Sequence, residues 1–90
     1  MTDPVRVVLP LVLVRLFPGA SREVELAASN VREAIDALNA RWPGMRDRVR
    51  NSTPAIRRHI NVFVDGRRAT LKTPLAPGSI VYILTAMSGG

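Results

Sequence analysis

Asn30-Val31-Arg32-Glu33-Ala34-Ile35-Asp36-Ala37-Leu38-Asn39-Ala40-Arg41-Trp42-Pro43-Gly44 decides the fold, because it is the one stretch with a clear helical period. Val31, Ala34, Ile35, Leu38 and Trp42 recur at intervals of three and four, which places them on one apolar stripe. Asn30 followed three residues later by Glu33 has the form of a capping box, with Asn in place of the usual Ser or Thr. Pro43-Gly44 stops the helix. One such helix needs a sheet to bury its stripe, and both flanks supply strands. Upstream, Val5-Arg6-Val7-Val8-Leu9 is β-branched and bounded by Pro4 and Pro10, and Pro10 has no N–H for a ladder. Leu11 to Phe17 is read as continuing extended up to the Pro18-Gly19 turn. Arg22 to Leu26 alternates polar and apolar and closes an N-terminal hairpin.

Downstream, Met45 to Arg58 is polar and Arg-rich and reads as a short helical turn followed by a loop. Ile60 to Val64 is a third strand, and Asp65-Gly66 is a hairpin turn into Arg67-Arg68-Ala69. Thr73 to Gly78 carries two prolines and reads as a connection, and Ile80 to Leu84 is the last strand. Two hairpins around one helix predict an α+β fold, the β-grasp (ubiquitin-like) arrangement. It has a mixed sheet of four to five strands and one main helix on a single face. The first and last strands lie together in its middle as a parallel pair. Residues 1–84 form the domain and residues 85–90 a flexible tail ending in Gly89-Gly90.

Ninety residues make one domain, and an apolar fraction of 47% is enough for one core. Cysteine is absent, which removes disulfides, thiolate metal sites and thiol nucleophiles and fits a cytoplasmic protein. The apolar run Val5 to Phe17 is broken by Arg6, Pro10 and Arg15 and is too short to span a membrane. No basic region or small-residue cleavage site precedes it, so no targeting segment and no membrane partner are expected. The net charge of +6 comes from 13 Lys+Arg against 7 Asp+Glu. Arg46, Arg48, Arg50, Arg57, Arg58, Arg67 and Arg68 invite a nucleic-acid reading. Only Phe63 and Tyr82 offer interleaved aromatics, and neither an RNP nor a zinc-finger pattern is present. A solvated basic surface, or complementarity to an acidic enzyme, accounts for the charge as well.

An active site needs a nucleophile with a base, paired carboxylates or a metal cluster. His59 is the single histidine and has no evident partner, so it reads as a strand-edge side chain. Glu33 and Asp36 fall on the polar flank of the helix and read as solvating charges. The glycines form neither GxxxxGK nor GxGxxG. No catalytic or metal-binding residue is assigned, and no cofactor is expected on this chain.

The unusual feature is the end. A strand closing a few residues before Ser88-Gly89-Gly90 leaves an arm whose glycines, lacking Cβ, can enter a narrow cleft. In the last strand both alternating sets are apolar, and the helix can cover only one. Val81 and Ile83 are assigned to the core. Tyr82 and Leu84, with Phe63 and with Met87 from the tail, then form an exposed patch that marks a partner interface. A homodimer or the Leu11–Phe17 segment could cover the same patch.

The element order and the ending Ile83-Leu84-Thr85-Ala86-Met87-Ser88-Gly89-Gly90 resemble the MoaD/ThiS family of ubiquitin-like sulfur carriers over essentially the whole chain. Val5 to Pro10, the helix ending Trp42-Pro43-Gly44 and Arg58 to Gly66 look most like the carriers of cysteine biosynthesis. The thiamine carriers are usually shorter where this chain has Met45 to Arg58.

The resemblance implies that the Gly90 carboxylate is adenylated by a ubiquitin-activating-enzyme-like partner using ATP and Mg²⁺. Sulfur then converts it to a thiocarboxylate, with Ser88 and Gly89 threading into the partner. The sulfur goes to a biosynthetic enzyme of a cysteine, molybdopterin or thiamine-type pathway, a PLP-dependent cysteine synthase among the candidates. The chain itself is then a substrate and not an enzyme. Two alternatives are a protein modifier joined to lysines through Gly90, and a basic nucleic-acid-binding module.

Overall fold

The structure, a computed structural model, describes residues 3–50, 56–57 and 59–85. The elements run β1 (Val5–Val8), α1 (Leu11–Leu16), β2 (Glu23–Leu26), α2 (Val31–Arg41), α3 (Met45–Val49), β3 (Ile60–Val64), β4 (Arg67–Arg68) and β5 (Ile80–Thr85). The five strands form one sheet in the order β2-β1-β5-β3-β4. Only the β1–β5 pair is parallel, with Val7 opposite Val81 and Val8 opposite Tyr82. The predicted β-grasp arrangement is thus the observed one. Its central strands are the first and the last, and β5 is held by β1 over residues 80–82 and by β3 over residues 81–85.

Alternation along the strands sets the core. Val5, Val7, Val24, Leu26, Val62, Val64, Val81 and Ile83 are buried in one cluster with Val31, Ala34, Ile35 and Leu38 of α2. Asn30 caps α2, its side-chain oxygen accepting from the Glu33 N–H at 2.8 Å, a contact worth about 1 kcal/mol. The reciprocal half of the box is displaced by one residue. Glu33 Oε1 accepts from the Ser29 hydroxyl at 2.7 Å and the Ser29 N–H at 2.9 Å. The hydroxyl first, and then the backbone N–H, hold the Glu33 carboxyl below the usual carboxylate range. This support is present above the ordinary Glu pKa and is lost as pH falls through the lowered one.

Three expectations are corrected. Leu11 to Phe17 does not continue extended, since Leu11–Leu16 is the short helix α1. The ladder with β2 reaches its end where the Leu9 N–H meets the Arg22 carbonyl at 2.7 Å. Beyond it no strand lies opposite, so the backbone satisfies itself internally from Pro10 onward. Trp42 lies outside α2 as its C-cap, because Pro43 disfavours helical geometry at the residue before it. The polar segment after Gly44 hides two core residues, since Met45 and Val49, four apart on α3, are both fully buried.

Gly44 has φ +101° at the start of α3, and an added Cβ would sit 3.5 Å from the Phe17 ring. The space is tolerable but the backbone conformation is not. Gly44→Ala is expected to cost about 1–2 kcal/mol, read as a lower midpoint in urea unfolding.

Candidate functional site: the open sheet face and the end of the last strand

The helices leave the other face of the sheet uncovered, and register determines what stands there. Val8 faces Glu23 on one side and Tyr82 on the other, Tyr82 faces Phe63, and Phe63 faces Arg68. One row across the sheet is therefore apolar in the centre, acidic at the β2 edge and basic at the β4 edge. Tyr82 and Leu84 are 41% and 42% exposed, whereas Val81 and Ile83 are 1% exposed. The face assignment of β5 follows from these values, and neither α1 nor any other described element covers the patch.

Phe63 is half-buried, not exposed, since Tyr82 and Arg68 flank it on both sides. Val8, also half-buried, is a member of the row that the sequence reading omitted. The alternation of Val5 and Val7 inward was the signal that could have found it. Polar side chains tie the margins together. Arg6 lies 3.6 Å from Glu23 and 3.8 Å from Glu25, and Arg68 donates to the Asn61 side chain at 2.6 Å.

Thr85, the last residue of β5, pairs with Ile60 at the start of β3. The last strand thus runs one residue further than predicted. Met87, Ser88, Gly89 and Gly90 lie outside the described residues. At the end of β5 a shallow groove is lined by Phe17, Arg48, Arg57, His59, Ile60 and Thr85. His59 is exposed there, so the only histidine stands beside the strand end.

The other titratable groups are engaged structurally. Asp36 accepts Arg46 at 3.1 Å and lies 3.8 Å from Arg50, while Glu33 belongs to the start of α2. Among the described residues no His, Asp or Glu cluster has the makings of a metal site. Among them, too, no helix is long and apolar enough to cross a membrane.

Comparison with known proteins agrees with this geometry. A chain of the Amycolatopsis orientalis BexX/CysO complex superposes with a TM-score of 0.85 at 29% identity, covering 96% of this chain and 99% of that one. CysO of Mycobacterium tuberculosis gives 0.82 at 28% identity, covering 92% and 99%. SAMP1 of Haloferax volcanii gives 0.81 at 27% identity, covering 98% and 100%. A search of curated proteins finds no match. The ThiS family model matches residues 13–90, a span that takes in most of the fold described above and continues through Gly90. With five strands in β-grasp order and a match over most of its length, the chain belongs to the ThiS family of ubiquitin-like proteins.

Proposed function

We propose that this chain is a sulfur carrier whose Gly90 carboxylate is activated and converted to a thiocarboxylate by partner enzymes. The observation that carries the reading is the family match, which runs unbroken from the first helix through Gly89-Gly90. The fold supports it, because β5 pairs with β1 and β3 and its last residue, Thr85, stands at one end of the sheet.

A carboxylate resists attack by a nucleophile, since its charge is delocalised and oxide is a poor leaving group. Transfer of AMP from ATP to the Gly90 oxygen, with release of pyrophosphate, supplies the missing leaving group. Mg²⁺ on the partner assists that step. A sulfide sulfur then forms the new C–S bond as the C–O bond to AMP breaks. Where a persulfide attacks instead, the acyl disulfide formed is cleaved by a thiol, which becomes a disulfide as the thiocarboxylate leaves. The product thiocarboxylate is a soft nucleophile, suited to a second enzyme's electrophilic centre.

The contribution of this chain is delivery. The five residues after Thr85 span at most about 17 Å, so the sheet's end must dock close to the mouth of the partner's cleft. Glycine at the last two positions allows backbone approach that a Cβ would block. The row Val8–Tyr82–Phe63 with Leu84 is the docking surface we assign. The acceptor we favour is a cysteine-synthase-type enzyme, given the resemblance to carriers of cysteine biosynthesis and the likeness to two CysO structures.

The test is intact mass after incubation with the activating enzyme, ATP and a sulfur source. One oxygen-for-sulfur exchange is expected, and an unchanged mass under conditions that release pyrophosphate would refute it. His59→Ala is expected to leave the extent of this exchange unaltered, because the acid–base chemistry belongs to the partners. A large loss with an unchanged melt would place the imidazole in the reaction.

A second reading, attachment to proteins, is favoured by the likeness to Haloferax volcanii SAMP1, a small archaeal modifier protein. Proteomic detection of an isopeptide between Gly90 and a target lysine would establish it.

A further inference from the structure

The charges of this molecule are unevenly placed along β5. Around the start of that strand they balance. Asp3, Arg6 and Glu25 line one cleft with Ile80, and the Asp65 carboxylate accepts from the Ile80 N–H at 3.0 Å. Arg67 stands opposite Val64, which stands opposite Val81. Arg32 and Glu33 belong to the same end, where Asp3 and Glu33 line one cleft and Asn30 bridges to Pro74. Asp3, Glu25, Glu33 and Asp65 thus more than offset Arg6, Arg32 and Arg67. The net charge of +6 rests on the rest of the molecule.

At the other end of β5 stand Arg48 and Arg57, two cations against the one carboxylate of Asp47 in the same groove. Among the described residues neither has a carboxylate within ion-pair distance, and the Arg57 Nε–H donates to the Asp47 backbone carbonyl, which neutralises nothing. Arg46 and Arg50 share the single carboxylate of Asp36.

We infer that Arg48 and Arg57 form a basic collar at the root of the C-terminal segment, and that it seats on an acidic rim around the activating enzyme's cleft. The inference rests on the sulfur-carrier reading and specifies the chemistry of its partner. Whatever receives Gly90 lies within about 17 Å of Thr85 and therefore faces the groove that holds the collar. A charge pole on the leading end orients the molecule during approach, which raises the association rate more than the final affinity. Nucleic acid fits less well. Phe17 and His59 are the only aromatic rings among the described residues of the groove, too few for a run of stacking platforms.

The experiment uses the activating enzyme purified from the source cells by its ATP-pyrophosphate release in the presence of this chain. Stopped-flow association is measured from low to high salt. Arg48→Glu/Arg57→Glu is compared with Arg32→Glu/Arg67→Glu, which makes the same charge change on exposed side chains at the balanced end. Both variants are first checked for an unaltered melt.

The collar variant is expected to associate about tenfold or more slowly at low salt, with the difference vanishing as salt screens the charges. Its dissociation should quicken as well, because glutamates then face the acidic rim, and the control pair should associate at nearly the wild-type rate. Equal slowing by both pairs would show an effect of net charge alone and overturn the collar. So would an association rate indifferent to salt.

A fluorescent oligonucleotide provides the remaining arm. Tight binding at physiological salt that the collar variant loses would assign this surface to nucleic acid and overturn the proposal. The underlying reading fails separately, through pyrophosphate release and sulfur gain that persist when Gly90 is deleted.

Discussion

Deleting Gly90, or adding one residue after it, is expected to abolish sulfur gain while leaving the melting temperature unchanged. The effect is all-or-none because the proposed electrophile is the terminal carboxylate itself. Extension turns that carboxylate into a peptide carbonyl, which cannot accept AMP. Deletion leaves a carboxylate, but one residue short of the reacting centre, and displacement of this order costs a reaction dearly in orientation. Stability should not change, since no core residue lies beyond Ile83 among the described residues. The measurement is intact mass with and without the activating enzyme, beside a thermal melt. An extended chain that still gains sulfur would move the site away from Gly90.

Ile83→Asp is expected to unfold the domain, and Leu84→Asp to leave it folded but dock poorly. The two residues are adjacent in sequence and opposite in environment, at 1% and 42% exposure. At position 83 the substitution removes a fully buried aliphatic side chain and strands a carboxylate among Val62, Val81 and Leu38. The combined loss is about 4–5 kcal/mol or more, comparable with the whole stability of a domain this small. At position 84 the carboxylate stays in water, and the fold should change by about 0.5 kcal/mol or less. Docking is another matter, because the apolar row would be covered by the partner and the new charge buried unpaired. A loss of about 3 kcal/mol, near two orders of magnitude in affinity, is the expected result. Melts of both variants, with a binding titration of Leu84→Asp, check this. Undiminished binding by that variant would remove the open face from the interface.

Much of this was legible before any coordinates. The stripe from Val31 to Leu38 and the Asn30 cap specify α2 through local rules alone. Asp65-Gly66, with φ of +49° and +86°, makes the tight hairpin that its residue types require. Leu11 to Phe17 was misread because its β-branched residues favour a strand, and only the short length of β2 shows that no partner exists for one. Met45 and Val49 are hidden from a sequence reading because Arg46, Arg48 and Arg50 interleave with them, while their own spacing of four turns both inward on α3.

The sequence by itself determined that one helix packs on one sheet, that no self-contained catalytic set is apparent, and that the chain carries Gly89-Gly90. Those follow from periodicity, residue chemistry and order, which are properties of the chain. Tertiary structure alone decided which neighbours meet. Pairing of β1 with β5 brought Val8 beside Tyr82 across more than seventy residues of chain, and β3 against β5 added Phe63 to the row. The same pairings sorted the charges into a balanced end and a basic one. Cross-strand register is set by the burial of a whole face at once. No local pattern encodes which distant residue a side chain will stand against.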